Sequence, residues 1–161
     1  MDLQHELGLQ APFKDIRHEA VLNVVRTANL ISTKASQLFR RFDLTEAQFN
    51  VLFALKFSGG NITQAELGKR LVVTRASITS VLDKLEAKDL VRRIDVPGNR
   101  RIHHVALTDG GSELIHRVEP EYRDEVHSVL KDFSEEQCTV LIDRMEKMRS
   151  RVQDMLSKDI K

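Results

Sequence analysis

A chain of 161 residues can bury one real core but is short for two comfortable domains; its 41% apolar and 30% charged residues are ordinary globular usage. No run of 18 apolar residues occurs, so no membrane-spanning helix and no membrane partner are expected, and the first fifteen residues lack the apolar stretch of a secretory signal. A net charge of +1 does not by itself announce a polyanion partner, and the single Cys138 excludes an intramolecular disulfide, which fits a cytoplasmic location.

Residues 1–15 contain Gly8 and Pro12, show no clear periodicity and are expected to form a loose arm. From Val21 the apolar residues recur at steps of three and four, which predicts one long amphipathic helix from Ile16 to about Phe42. Capping boxes at Thr45-Glu46-Ala47-Gln48, Thr63-Gln64-Ala65-Glu66 and Ser134-Glu135-Glu136-Gln137 mark three helix starts, because in each the hydroxyl can accept a first-turn N–H while Gln or Glu reaches back. The second helix should therefore end at Ser58-Gly59-Gly60-Asn61, and the third should run from about 63 to Val72. Thr74 is the natural cap of a fourth, from Arg75 to about Lys88. Val91–Asp95 and Arg101–Leu107 read as the arms of a two-stranded hairpin around the Pro97-Gly98-Asn99 turn. A fifth helix is expected to about Phe133, kinked or broken at Pro120. The last runs from Glu135 to about Ser157, with an apolar stripe from Cys138 to Leu156. The fold class is mainly α with a small β-hairpin wing. The divisions are an arm and helix over 1–44, a winged helix-turn-helix lobe over 45–111 and terminal helices over 112–161, within one structural domain.

The charge is unevenly spread. Between Ile62 and His104 nine Lys/Arg stand against five acids, whereas the remainder is net acidic. That is either a local footprint for a polyanion or clustering on a solvated face. The fourth helix bears on the question. Ile78, Val81, Leu82 and Leu85 fall on one face and should pack on Leu55, Leu67 and Leu71. The other face carries Ala76, Ser77, Thr79, Ser80, Asp83 and Lys84, with Arg75 at its N-terminal edge. Small hydroxylated residues let a helix lie deep in a major groove, where Ser and Thr bond base edges or phosphates and Arg pairs with guanine. An ordinary exposed face would hold more Glu and Lys, the better helix formers. Immediately after it Arg92, Arg93, Arg100 and Arg101 gather in a short ribbon whose basic tip suits a narrow minor groove.

The run Leu67 to Glu86, with Gly98-Asn99-Arg100-Arg101 and Val105 to Gly111, resembles the helix-turn-helix and wing of the MarR family, and about 17–157 follow that family's order. The resemblance implies a double-stranded DNA-binding transcriptional regulator, a ligand-responsive repressor acting as a homodimer on a pseudo-palindromic operator. It also implies an effector, a small aromatic or phenolic acid bound between the dimer helices and the DNA-binding lobe, although the sequence names no residue of that cleft. The candidate DNA contacts are Thr63, Gln64, Thr74, Arg75, Ala76, Ser77, Thr79, Ser80, Lys84, Asn99, Arg100 and Arg101. The family usually carries Asp-x-Arg in the wing, the acid aiming the arginine. Here Asn99 and Arg101 occupy those positions, and a neutral Asn holds its partner more weakly. Independently of the resemblance, two long helices with apolar stripes are hard for a small monomer to bury, and pairing across a two-fold axis solves this.

Other chemistry is not expected. His103 and His104 alternate across a strand, and His116 and His127 lie three turns apart, so no metal or cofactor is anticipated. Cys138 on an apolar stripe reads as packing. No nucleophile–base pair, phosphate loop or paired carboxylate argues for an enzyme. The alternative is a winged-helix module that binds protein and not DNA.

Overall fold

The computed structural model describes residues 2–59, 62–71, 78–96 and 99–158, except the side chains of Val96 and of residues 99–102. The chain divides into two compact units, Met1–Tyr122 and Arg123–Lys161.

The first unit opens with a single turn, α1 (Leu3–Glu6), within the expected arm, whose residues 7–15 are irregular and mostly exposed. Asp2 caps it by accepting the His5 N–H at 3.0 Å, Leu3 is buried, and Arg26 Nε donates to Glu6 at 3.1 Å. A single turn is too short for a periodic signal, and its anchors are a cap and one leucine. Helix α2 (Ile16–Arg40) follows, capped by Asp15, which accepts the Arg17 N–H at 2.8 Å. It buries only Leu38 and Phe39, at its C-terminal end. The helix stops because Asp43 takes a left-handed conformation (φ 54°) while the Leu44 N–H returns to the Phe39 carbonyl at 3.0 Å.

Helix α3 (Glu46–Lys56) starts at the expected capping box, with Gln48 N–H donating to Thr45 Oγ1 and Thr45 N–H donating to Gln48 Oε1 at 2.9 Å. It buries Gln48, Phe49, Val51, Leu52 and Leu55. Phe49 stacks on Phe39 with centroids 4.1 Å apart, and Tyr122 lies 4.9 Å from Phe49. Helix α4 (Gln64–Arg70) and helix α5 (Ile78–Glu86) dock on it. As the spacing requires, Val81, Leu82 and Leu85 of α5 join Leu67 and Leu55 in one core, with Leu71 and Ile78 partly buried against it.

Strands β2 (Val91–Val96) and β3 (Asn99–Leu107) form the expected hairpin, pairing Val91 with Leu107 and Arg93 with Val105. The sheet has a third strand, which the sequence reading did not foresee. The two-residue β1 (Ile62–Thr63) pairs antiparallel with β3, giving the order β1-β3-β2. Two residues show no alternation, and β1 forms because Ile62 is buried opposite Val105. Helix α6 (Asp109–Val129) buries Ile115 and Val118 in the same core and continues through Pro120 without the expected break. It ends at Val129, short of the expected Phe133, whose N–H turns back to the Leu130 carbonyl at 2.9 Å.

The second unit holds the end of α6 and α7 (Glu135–Lys158), which starts at the third capping box. None of the described α7 residues is buried. Val140, Ile142, Met155 and Leu156 are each more than half exposed.

The passage from α5 through the wing into α6 is held at one point. Asp89 is left-handed (φ 53°), and the Leu90 N–H returns to the Leu85 carbonyl at 2.9 Å. The Thr108 hydroxyl donates to the Asp89 carbonyl at 2.6 Å and accepts the Gly111 N–H at 3.0 Å, capping α6. Gly111 presses on the Leu90 carbonyl so closely that any Cβ there would overlap it. Gly111→Ala must push helix from strand, and the expected loss is about 1–3 kcal/mol, as for other overpacked sites. Chemical denaturation should show it, and wild-type stability would mean that the helix start can shift freely.

Candidate nucleic-acid interface

Helix α5 turns one face in and one face out. Val81, Leu82 and Leu85 are buried, whereas Thr79, Ser80, Asp83 and Lys84 are exposed. A helix with such an apolar stripe is fixed in rotation by its core side, so the identity of the outward residues follows from the packing. Of the N-terminal candidates, Thr74, Arg75, Ala76 and Ser77 lie outside the described residues. The backbone of Asn99, Arg100 and Arg101 belongs to β3, but their side chains lie outside the description.

The structure brings two candidates together. Gln64 Nε2, at the first residue of α4, donates to Thr79 Oγ1 on α5 at 2.6 Å. This ties the exposed edges of the two helices across the helix-turn-helix. Thr63 is committed locally. Its Oγ1 accepts the Glu66 N–H at 3.2 Å and donates to Glu66 Oε2 at 2.7 Å, while its N–H donates to the same carboxylate at 3.0 Å. The Thr63 hydroxyl, and next the Thr63 N–H, hold the Glu66 carboxyl below its ordinary value, with Arg70 and His104 adding smaller pulls.

In the wing, the structure separates Arg92 from Arg93, neither of which is among the candidate contacts. Arg92 is exposed, but Arg93 is engaged by helix α5. Its Nη2 donates to Asp83 at 2.6 Å, its Nη1 to Glu86, and its own N–H to Glu86 Oε1 at 3.2 Å. The Arg93 side chain is 23% exposed, against 59% and 40% for the two acids. The bond to Asp83 and the charges of both acids raise the guanidinium further above its ordinary value. A two-pronged arginine suits this role because its planar fork meets two carboxylates at once. Sequence reasoning missed the bridge because Asp83 and Arg93 are ten residues apart on different elements. The available signal was the two acids on an otherwise small, polar or basic face. At the other end of the wing His103 Nδ1 lies 3.0 Å from Asp95.

A second feature was invisible in composition. Phe53 and Phe57, one helical turn apart with centroids at 4.8 Å, line a cleft of about 280 Å³ with Asn50, Ala54, Arg70 and Leu71. The chain is low in aromatics overall, but Phe49 and Phe53 of α3 and Phe57 at its C-cap recur at intervals of four. That spacing was the readable sign.

A helix pair followed by a braced hairpin defines a winged-helix protein, and the comparisons carry the class further. The model described as MarR family matches residues 42–102. The chain is 30% identical over 123 residues to the HTH-type transcriptional regulator MhqR of Bacillus subtilis (strain 168), covering 74% of this chain and 84% of MhqR. It is 29% identical over 152 residues to the HTH-type transcriptional regulator PecS of Dickeya dadantii (strain 3937), covering 91% and 92%. Its fold matches the organohalide-sensing regulator RdhR-CbdbA1625, crystallised with 2,4-dichlorophenol. The TM-score is 0.76 at 16% identity, over 89% of this chain and 87% of that one. The chain belongs to the MarR family of helix-turn-helix transcriptional regulators and is not an enzyme.

Two measurements test the local chemistry. Glu66 binds its proton less readily folded than unfolded, so its contribution to stability is present above the ordinary carboxylate value of 4.5 and is lost as pH falls through the lowered value. In an NMR titration Thr63→Ala should return the Glu66 pKa towards 4.5, and an unmoved titration would assign the shift elsewhere. Arg93→Ala should cost no more than about 1 kcal/mol in a thermal melt, because the ion pairs are partly exposed and screened. It should nonetheless speed hydrogen exchange along β2 and β3. Unchanged exchange would show that the sheet alone positions the wing.

Proposed function

We propose that the chain is a sequence-specific binder of double-stranded DNA, a ligand-responsive repressor that works in the cytoplasm as a homodimer on a pseudo-palindromic operator. The observation that carries this reading is the outward face of α5, small and hydroxylated at Thr79 and Ser80 and bracketed by the basic wing. In this reading Arg75, Ala76, Ser77, Thr79 and Ser80 lie along the major groove. Gln64, Thr74 and Lys84 meet the phosphates, Thr63 serves there by fixing the start of α4 through Glu66, and at least one of Arg100 and Arg101 enters the minor groove with Asn99 helping to aim it. Residues 45–111 are the DNA-binding lobe.

The segments 1–44 and 112–161 make the dimer. Val21, Val25, Leu30 and Ile31 of α2 are about half exposed, and α7 carries its own bare apolar residues. Surfaces of that kind are normally covered by a partner, and a second copy is the simplest one. The effector is a small aromatic or phenolic compound, the chemistry of the 2,4-dichlorophenol bound to RdhR-CbdbA1625. Phe53 and Phe57 offer ring faces, and Arg70 offers a charge for a phenolate or carboxylate.

Fluorescence anisotropy on an operator duplex at several salt concentrations, with sedimentation of the full chain, tests the reading. A dimer should bind with a steep salt dependence. Arg75→Ala should cost about 1–3 kcal/mol at the operator and relax base preference, and Arg101→Ala should lower the salt slope by about one if it contacts a phosphate. Operator affinity unchanged by both substitutions, in a folded dimer, would overturn the interface.

A further inference from the structure

A second cleft, of about 450 Å³, opens where the end of α2 and the start of α3 meet the end of α5. It is lined by Arg40, Asp43, Leu44, Gln48, Lys84 and Lys88, with Thr45 and Ala87. Three cations face one acid across it. Lys88 is already satisfied, its Nζ donating to the Asp43 carbonyl at 2.6 Å and to Asp43 Oδ2 at 2.7 Å. That pair cancels, and Arg40 and Lys84 remain as two positive charges without a carboxylate partner among the described residues. Arg40 Nε donates to the Ser36 carbonyl at 3.1 Å, which fixes the side chain along α2 and leaves its terminal nitrogens as donors.

The second observation concerns Gln48, which is only 5% exposed and is the buried polar residue of the core. Its Oε1 is occupied by the Thr45 N–H at 2.9 Å, so the capping box fixes which way the amide faces. Its Nε2 meets no protein acceptor among the described residues and, since no buried side-chain nitrogen or oxygen there is left unpaired, it reaches solvent at the cleft wall that the side chain helps to form. A fixed amide N–H that opens onto the cleft can donate to an anion in place of water.

We infer that this cleft binds a small aliphatic dicarboxylate, one carboxylate held by Arg40 and the Gln48 amide and the other by Lys84. Two uncompensated cations call for a dianion. Leu44, Ala87 and the methylene stems of Arg40 and Lys84 accommodate a short carbon chain, and among the described residues no aromatic side chain lines the cleft for a ring to stack on. The site is separate from the Phe53–Phe57 cleft, with which it shares no lining residue. Because Lys84 belongs to α5, an occupant engages a side chain that the proposed DNA reading needs, and the dianion would compete with phosphate for it.

The test is an NMR titration of the full-length protein with succinate at constant ionic strength, with neutral succinamide and inorganic phosphate as parallel probes. Succinate should shift the Gln48 side-chain NH₂ signals saturably, and succinamide should leave them in place. Arg40→Gln should raise the succinate dissociation constant about tenfold or more, as expected for losing a charge-assisted contact worth one decade, with its thermal melt confirming the fold. Ala87→Phe, which fills the cleft without touching a charge, should abolish the shift. Phosphate displacing succinate from Gln48 supports the anion site. Phosphate binding there without succinate would overturn the dicarboxylate assignment. An unmoved Gln48 signal, or equal affinity in Arg40→Gln, would overturn the site itself. None of these readouts needs DNA, so failure here is distinct from failure of the operator-binding reading.

Discussion

The burial of α3 is the constraint on which the first unit rests. Val51, Leu52 and Leu55 of this eleven-residue helix are almost wholly removed from water, as is Phe49. Each such side chain is worth about 1.5–3 kcal/mol on burial. That makes one short helix the common floor for α2, α4, α5 and β3, all of which pack on it. Because α3 is apolar on several sides, it cannot rotate without exposing something large, and the elements docked on it inherit that fixity. The outward face of α5 is thus set by Val81, Leu82 and Leu85 entering the core that Leu52 and Leu55 of α3 share, before any polar residue has a say.

Polar contacts then do what apolar packing cannot, which is to orient elements that barely touch the core. The hairpin is anchored by Val91 and Val105, both buried, but most of β2 beyond Val91 is exposed, and two strands alone twist easily. Arg93 joins that strand to α5. It also hides negative charge: Asp83 and Glu86 stand on the helix that the proposed function sends towards phosphate, where free carboxylates would repel the duplex. Bound to one guanidinium, they contribute a single net negative charge in place of two. The small stability of exposed ion pairs is therefore a poor measure of this contact, whose main effects are geometric and electrostatic.

Legibility in the sequence tracked the range of the interaction that forms each feature. All three capping boxes form where Thr45, Thr63 and Ser134 stand, because the whole device lies within four consecutive residues. The helices and the hairpin were readable from steps of three and four and from turn residues. Strand β1 was not, because Ile62 pairs with Val105 across more than forty positions. The turn of α1 was not, because its stability comes from Leu3 and from Arg26, twenty residues beyond Glu6. At the candidate interface, the face of α5 was legible and the duty of Arg93 was not. A count of basic residues cannot tell a cation facing solvent from one consumed by two acids on another element. The same limit explains the clefts, which are properties of residues made neighbours only by folding.

The two helices bearing uncovered apolar residues invite a geometric consequence. A dimer built on a two-fold axis presents two identical copies of α5, and a duplex offers matching grooves only at separations near one helical turn, about 34–36 Å, or its multiples. In such a dimer the terminal helices would do more than hold two chains together, since their packing would set the distance between the two copies of α5. In such a machine a ligand need not touch a base-reading residue to change affinity. It need only alter the angle at which α5 leaves the lobe or engage a side chain that α5 needs. The end of α2, the Asp43 turn and Lys88 just past α5 already form one bonded corner, with Lys88 gripping both the carbonyl and the carboxylate of Asp43. A corner that links a terminal helix to the far end of the recognition helix is where a small change in charge would act on both spacing and grip.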